Sequence, residues 1–156
     1  MFMVYIAIAL VFSMCTHVET NMFCYKKISM ELGKSTRNDV SNQIHIVYDT
    51  EGNDDFLEKQ GIKSYYNIDD MTLRNGEKVA SFVSLKFKKE ILNSIELSFT
   101  SDTRLSDADI QQVLKCCDVA QLLKAGCLNH SNVAECLKQE KQNNRFTVKY
   151  QISLKD

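Results

Sequence analysis

Apolar and polar side chains alternate along two neighbouring segments in the middle of the chain. Residues 79–87 carry most of their apolar side chains at odd positions, and so do residues 91–99. A charged segment at 88–90 lies between them. Because successive side chains of a strand point to opposite faces, this pattern predicts an amphipathic β-hairpin over 79–99 that covers one side of a core.

Further strands are indicated before and after this hairpin. Residues 145–154 alternate without exception, which predicts a strand with one buried face and one face in water. Residues 44–48 alternate more weakly. Residues 65–73 form a partly apolar stretch, and an Asn-Gly pair at 75–76 then predicts a turn.

The segment 106–124 predicts a helix instead. Its apolar side chains recur at helical spacing, and Ser106 with Asp109 three residues later matches a capping box. An asparagine followed three residues later by a glutamate predicts a second helix over 132–140. We expect these two helices to form a hairpin tied by a disulfide.

Composition then limits the fold and the partners. The chain has 156 residues, 44% of them apolar, and a net charge of −1 with 19 basic and 20 acidic residues. We predict an α+β fold in one domain over 16–156, in which an antiparallel sheet, built from the 79–99 hairpin and the 145–154 strand, packs with the disulfide-tied helical hairpin. The balanced charge gives no electrostatic basis for binding nucleic acid.

The first residues predict export. Residues 2–12 are continuously apolar, which is too short to span a bilayer but matches the apolar region of a secretory signal. Small residues, Ser13 and Cys15, stand three and one positions before a cut after Cys15. We therefore expect residues 1–15 to be a removed signal peptide and the mature protein to be periplasmic or secreted.

Two alternatives to simple cleavage stay open. No lysine or arginine precedes the apolar run, as export signals usually have, so a buried N-terminal strand is an alternative. The second alternative is a lipid anchor on Cys15. It is disfavoured, because Met14 stands where the bacterial lipoprotein signal prefers Gly or Ala.

Five cysteines remain after that cut, and an exported chain favours disulfides between them. We expect Cys116 or Cys117 to bond to Cys127 or Cys136. Cys24 is then free, intermolecular, or the partner of one of the other four. The competing interpretation is a zinc site made from the same cysteines and a histidine at position 130, but a second properly spaced ligand pair is missing. We predict no metal and no cofactor.

A short segment before the predicted sheet has the sequence of a helix start. Thr36 with Asp39 has capping-box spacing, and residues 32–40 read LGKSTRNDV. This segment resembles the G-x-S/T-x-x-D/E-V helix start of small periplasmic lipoproteins of the SmpA/BamE type, over about residues 28–100. The resemblance implies a short helical region followed by a β-meander, and an envelope-located binding module that assists outer-membrane assembly.

The sequence features that could indicate catalysis are its histidines, acidic pairs and glycines. The three histidines include His130, three residues after Cys127, and carboxylate pairs occur at 54–55 and 69–70. No nucleophile elbow, phosphate-binding glycine loop, zinc-protease motif or dinucleotide fingerprint occurs in the sequence. We therefore predict no catalytic residue, although a small hydrolase using the acidic pairs or His130 is an alternative.

The remaining candidate is a contact surface. Tyr65 and Tyr66 stand close to Asp69 and Asp70, and tyrosine is among the residues enriched in protein interfaces. We predict an exported, non-catalytic protein-binding module of the inhibitor or immunity type, whose partner is another protein. An envelope-assembly module of the lipoprotein type is the alternative without catalysis.

Overall fold

The computed structural model describes residues 21–155. About half of these residues lie in strands, and the helices are short. The elements along the chain are β1 (Met22–Tyr25), β2 (Ile28–Glu31), α1 (Arg37–Ser41), β3 (Val47–Tyr48), α2 (Asp55–Lys59), β4 (Ile62–Thr72), β5 (Lys78–Lys88), β6 (Ile91–Ser101), α3 (Asp107–Val113), α4 (Val119–Ala125), β7 (Cys127–Asn129), β8 (Val133–Gln142) and β9 (Arg145–Leu154).

Seven strands form one antiparallel sheet in the order β3-β4-β5-β6-β9-β8-β7. The predicted hairpin over 79–99 is confirmed as β5 and β6, and the predicted strand over 145–154 is β9. Register places Leu85 opposite Ile95, and Ile95 opposite Ile152. All three side chains are buried, so the alternation in the sequence defines the inner face of the sheet.

A second layer covers that inner face. The separate hairpin of β1 and β2 contributes Phe23, whose ring stacks on Tyr150 with centroids 5.9 Å apart. The helices α3 and α4 bury Ile110 and Leu122 in the same core. On β5, β6, β8 and β9, the side chains that point the other way are exposed or half-buried. The sheet therefore has an inner face in the core and an outer face toward solvent.

The predicted helix over 132–140 is wrong, because this segment is strand β8. Val133, Glu135 and Leu137 alternate and point into the core, and β8 pairs with β9 along its whole length. A helix cap at the start of this segment would stabilise a helix there. The ladder of backbone hydrogen bonds to β9 and the burial of every second side chain stabilise the strand more. The disulfide-tied helical hairpin that we predicted is thus not formed.

The predicted helix over 106–124 is divided in two. Its capping box at Ser106 and Asp109 is confirmed, but α3 ends at Val113 and α4 begins at Val119. Gln111 stabilises the break: its side-chain amide donates to the carbonyls of Leu114 and Cys117 at 2.8 and 2.9 Å. The helix stops there because Leu114 forms an isolated β-bridge with Tyr25 of β1.

Other local predictions hold in part. The capping box of Thr36 and Asp39 starts α1, and the strand expected over 44–48 is reduced to the two residues of β3. Gly76 has a φ of 84° in the turn between β4 and β5. The signal peptide expected over 1–15 lies outside the described residues. Within 21–155, no helix has the length and apolar character needed to cross a membrane.

Candidate functional site

The predicted contact patch on β4 is split between the two faces of the sheet. Tyr65 points inward, where its ring meets Phe87 edge-on at 5.6 Å. Asp69 lies on the same face and forms an ion pair with Lys26. Tyr66 and Asp70 point outward, because neighbouring residues of a strand alternate. The four residues therefore cannot form one surface.

An exposed apolar patch is present on the outer face, built around Tyr66. Its ring stacks on Phe82 with centroids 5.8 Å apart, and Phe82 pairs in register with Ile68. Ile68 is 62% exposed, Phe82 39% and Val47, which pairs with Tyr66, 39%. We call these four residues, Val47, Tyr66, Ile68 and Phe82, the apolar patch.

Among these four residues, the sequence analysis predicted only Tyr66 as a contact residue. A signal was present, because Phe82 is apolar at an even position of a strand whose buried side chains are odd-numbered. Val47 and Ile68 join Phe82 and Tyr66 only through strand pairing, since they lie on β3 and β4. Their proximity is a property of the sheet register.

The acidic loop between β3 and α2 borders the apolar patch. A shallow cavity of about 540 Å³ is lined by Tyr66, Ile68 and Phe82 on one side, and by Asp49 and Glu51 of the loop on the other. Hydrogen bonds fix the conformation of residues 49–53. Asp49 Oδ1 accepts from the backbone of Gly52 at 2.9 Å, and Asn53 Oδ1 accepts from the backbone of Ser64 at 2.8 Å.

The carboxylate pairs do not form a hydrolytic site. Asp54 accepts a hydrogen bond from the backbone of Leu57 at 2.7 Å and so caps the N-terminus of α2. Asp69 and Asp70 lie on opposite faces of β4. Two carboxylates that face away from each other cannot flank one scissile bond, as glycosidase pairs do.

A polar cluster lies on the inner face near the start of β8. Glu135 is only 7% exposed, and its Oε1 accepts from the hydroxyl of Tyr150 at 2.8 Å. His130 Nε2 lies 3.5 Å from the other carboxylate oxygen. Burial first, and then the charge of Glu135, raise the pKa of Tyr150 well above its ordinary range. The cluster thus gives a buried carboxylate two partners.

The thiol beside this cluster is not a nucleophile at neutral pH. Burial, and then the charge of Glu135, raise the pKa of Cys117 to about 12. The thiolate is the reactive form, so a protonated Cys117 stays unreactive. Cys127 forms a disulfide, which removes the thiol from the Cys127 and His130 pair that the sequence suggested.

The disulfide pairing differs from our expectation. Cys24 bonds to Cys116, and Cys127 bonds to Cys136, with Cys117 as a free thiol. Cys127 stands directly opposite Cys136 in the register of β7 and β8. Cys24 lies next to the α3–α4 connection, where its backbone carbonyl accepts from Lys115 at 3.3 Å. In the part of the chain that the structure describes, no three His, Cys, Asp or Glu residues are grouped to hold a metal ion.

No family model, curated protein or solved structure matches this chain. The resemblance to SmpA/BamE-type lipoproteins therefore stays a prediction. The function must be inferred from the apolar patch, the acidic loop and the cysteines themselves.

Proposed function

We propose that this protein is an exported, non-catalytic module that binds another protein through the apolar patch and the acidic loop beside it. The single observation that carries this proposal is the group of exposed apolar side chains on Val47, Ile68 and Phe82, next to the half-buried ring of Tyr66. A monomeric protein rarely leaves apolar side chains together in water without a use for them.

The chemistry of the surface indicates the chemistry of the partner. Stacked aromatic rings at the centre of a contact surface suit an apolar projection on the other protein. Asp49 and Glu51 line the same cavity as Ile68. We therefore propose a partner that presents an apolar projection ringed by lysine or arginine, and binding of the inhibitor or immunity type, in which this module covers the partner's surface.

Export is supported by the cysteines. Two disulfides within 21–155 suit an oxidising compartment and are rare in a reducing cytosol. Intact-mass analysis of the native protein, with and without reductant, tests this part. We expect loss of residues 1–15, no lipid on the product, and two reducible bonds. A product that starts at Met1, with every thiol open to alkylation, would contradict export.

The binding surface is tested by substitution in the apolar patch. We would immobilise the mature protein and its Ile68→Asp and Phe82→Ser variants, and capture partners from the native envelope or medium. Phe56→Ser is the matched control, because Phe56 is 67% exposed on α2 and does not line the cavity. We expect a stoichiometric partner on the wild type and on Phe56→Ser, and its loss from both patch variants.

Salt and charge reversal test the acidic loop. The affinity for the captured partner should fall as ionic strength rises, because exposed charges are screened within about 8 Å at physiological salt. Glu51→Lys should weaken binding in low salt. Equal capture by the wild type and Ile68→Asp, or binding that is insensitive both to salt and to Glu51→Lys, would contradict the proposed surface.

A further inference from the structure

The Cys127–Cys136 disulfide lies on the outer face of the sheet, at the opposite edge from the apolar patch. The Cα atoms of the two cysteines are 4.0 Å apart, and the strands β7 and β8 place them directly opposite each other. Leu137 beside Cys136 points into the core, so the two sulfur atoms project outward. Cys127 is exposed and Cys136 is half-buried, so both are open to reagents on that face.

The disulfide forms one wall of a cavity of about 570 Å³. Lys138 and Lys149 line the same cavity, and they stand opposite each other in the register of β8 and β9. Two acidic groups offset them in part: Glu140 pairs with Lys138 at 2.9 Å, and Glu96 also lines the cavity. The cavity thus has two lysines and an accessible disulfide among its lining residues.

The two disulfides differ in what they hold together. Cys24–Cys116 joins segments 92 residues apart in sequence, whereas Cys127–Cys136 joins segments only 9 apart. The shorter link is accompanied by other contacts. Leu137 donates its backbone N–H to Gly126 at 3.0 Å, and His130 donates to Val133 at 2.9 Å. Opening Cys127–Cys136 therefore leaves β7 attached to β8.

We propose that Cys127–Cys136 is a site of thiol–disulfide exchange with a small anionic thiol. The incoming thiolate attacks Sγ of Cys127 and forms a mixed disulfide there. The Cys127–Cys136 bond breaks, and its electron pair leaves on Sγ of Cys136 as a thiolate. One disulfide replaces another, so this step needs no additional oxidant or reductant. Lys138 and Lys149 favour the approach of the anionic reagent.

Three thiols of different charge test this proposal on the oxidised native protein. Glutathione is the anionic probe, β-mercaptoethanol the neutral one and cysteamine the cationic one. Peptide mapping after acid quenching reports which cysteine carries the adduct. Relative to each probe's rate with a small uncharged disulfide, at equal thiolate concentration and low salt, we expect glutathione to modify Cys127 about threefold faster than β-mercaptoethanol, and cysteamine to be slowest. Cys24–Cys116 should remain intact.

Matched variants separate the charge effect from simple exposure. Lys138→Gln with Lys149→Gln should remove the preference for the anionic probe without changing the reaction with β-mercaptoethanol by more than about twofold. Lys86→Gln is the control, since Lys86 is an exposed lysine of β5 that does not line the cavity. Equal rates for all three probes, first attack at Cys24–Cys116, or reaction only in denaturant would overturn the proposal. These readouts do not use the binding partner, so they stand apart from the test of the apolar patch.

Discussion

Tyr150 donates its hydroxyl hydrogen to Glu135 at 2.8 Å, across the paired strands β8 and β9 on the inner face of the sheet. Glu135 is one of the few polar side chains that the described core contains. A carboxylate in that position is costly unless it is hydrogen-bonded. The contact therefore contributes to the stability of the fold. Burial first, and then the charge of Glu135, raise the pKa values of Tyr150 and Cys117.

Tyr150→Phe should lower the free energy of unfolding by about 1–3 kcal/mol, because it leaves a buried acceptor without its donor. Glu135→Gln should cost less, since the amide oxygen still accepts from the tyrosine. Urea unfolding at pH 7 measures both changes. Tyr66→Phe on the outer face is the control. A change for Tyr150→Phe as small as that control's would mean that the contact contributes nothing.

The free energy of unfolding should fall as the pH rises above about 9. Burial raises the pKa of Cys117 from 9.0 to about 12, and raises that of Tyr150 above its ordinary value of 10.0. The native state then keeps protons that the unfolded state releases, so stability decreases with pH. Each group contributes at most about 1.4 kcal/mol per pH unit, Cys117 until about pH 12.

Cys117→Ala separates the two contributions. This variant should lose the decrease between about pH 9 and 10, and above pH 10 it should keep only the part that Tyr150 contributes. Short urea titrations without reductant measure the effect before disulfides exchange. A wild-type stability that is constant from pH 8 to 11 by this measurement would contradict both pKa shifts.

Cys117 should react slowly with iodoacetamide in the native protein. Its raised pKa leaves little thiolate at pH 8, and its side chain is only partly accessible. We expect the rate of modification to rise by at least about tenfold in urea, where the thiol regains its ordinary pKa. Peptide mapping identifies the labelled cysteine, and Cys117→Ser is the control. Rapid labelling of Cys117 at pH 7 would show that the thiol is ionised.

The two disulfides should differ in their contribution to stability. Chain-entropy arguments assign about 4.6 kcal/mol to a loop of the Cys24–Cys116 size and about 2.7 kcal/mol to one of the Cys127–Cys136 size. We therefore expect the double variant Cys24→Ala, Cys116→Ala to be less stable than Cys127→Ala, Cys136→Ala by about 2 kcal/mol. Urea unfolding tests the order, and the reverse order would contradict it.

The turn between β5 and β6 should accept a stabilising substitution. Lys89 has a φ of 52°, a left-handed conformation that asparagine adopts more readily than lysine. Lys89→Asn should therefore raise the free energy of unfolding by about 0.5–1 kcal/mol. Lys86→Asn is the control, because position 86 lies within the strand, where asparagine is unfavourable. Equal effects at both positions would show that the turn conformation is not responsible.

The local predictions were confirmed where the residues that determine an element all lie within one segment. The hairpin of β5 and β6 and the strand β9 follow from period-two alternation, which reports a strand with one buried face. The starts of α1 and α3 follow from capping boxes, which involve residues only three positions apart. In these cases local preference and tertiary packing agree.

The errors occurred where contacts between segments distant in sequence determine the structure. Residues 132–140 have a helix-like start, but β9 offers them a full ladder of hydrogen bonds, so they form β8. Cys127 and Cys136 pair because two strands place them face to face. Tyr65 and Tyr66 are adjacent in sequence, yet the pleat of β4 sends them to opposite faces.

The amino-acid sequence alone therefore determined which segments have an apolar face, where several helices and turns begin, and that the cysteines favour disulfides. Only the tertiary structure decided which cysteines meet, which aromatic rings stay exposed, and that Glu135 is buried against Tyr150. The physical reason is the separation in sequence over which each interaction acts. Capping and alternation act between near neighbours, whereas pairing and burial depend on segments that the chain brings together only when it folds.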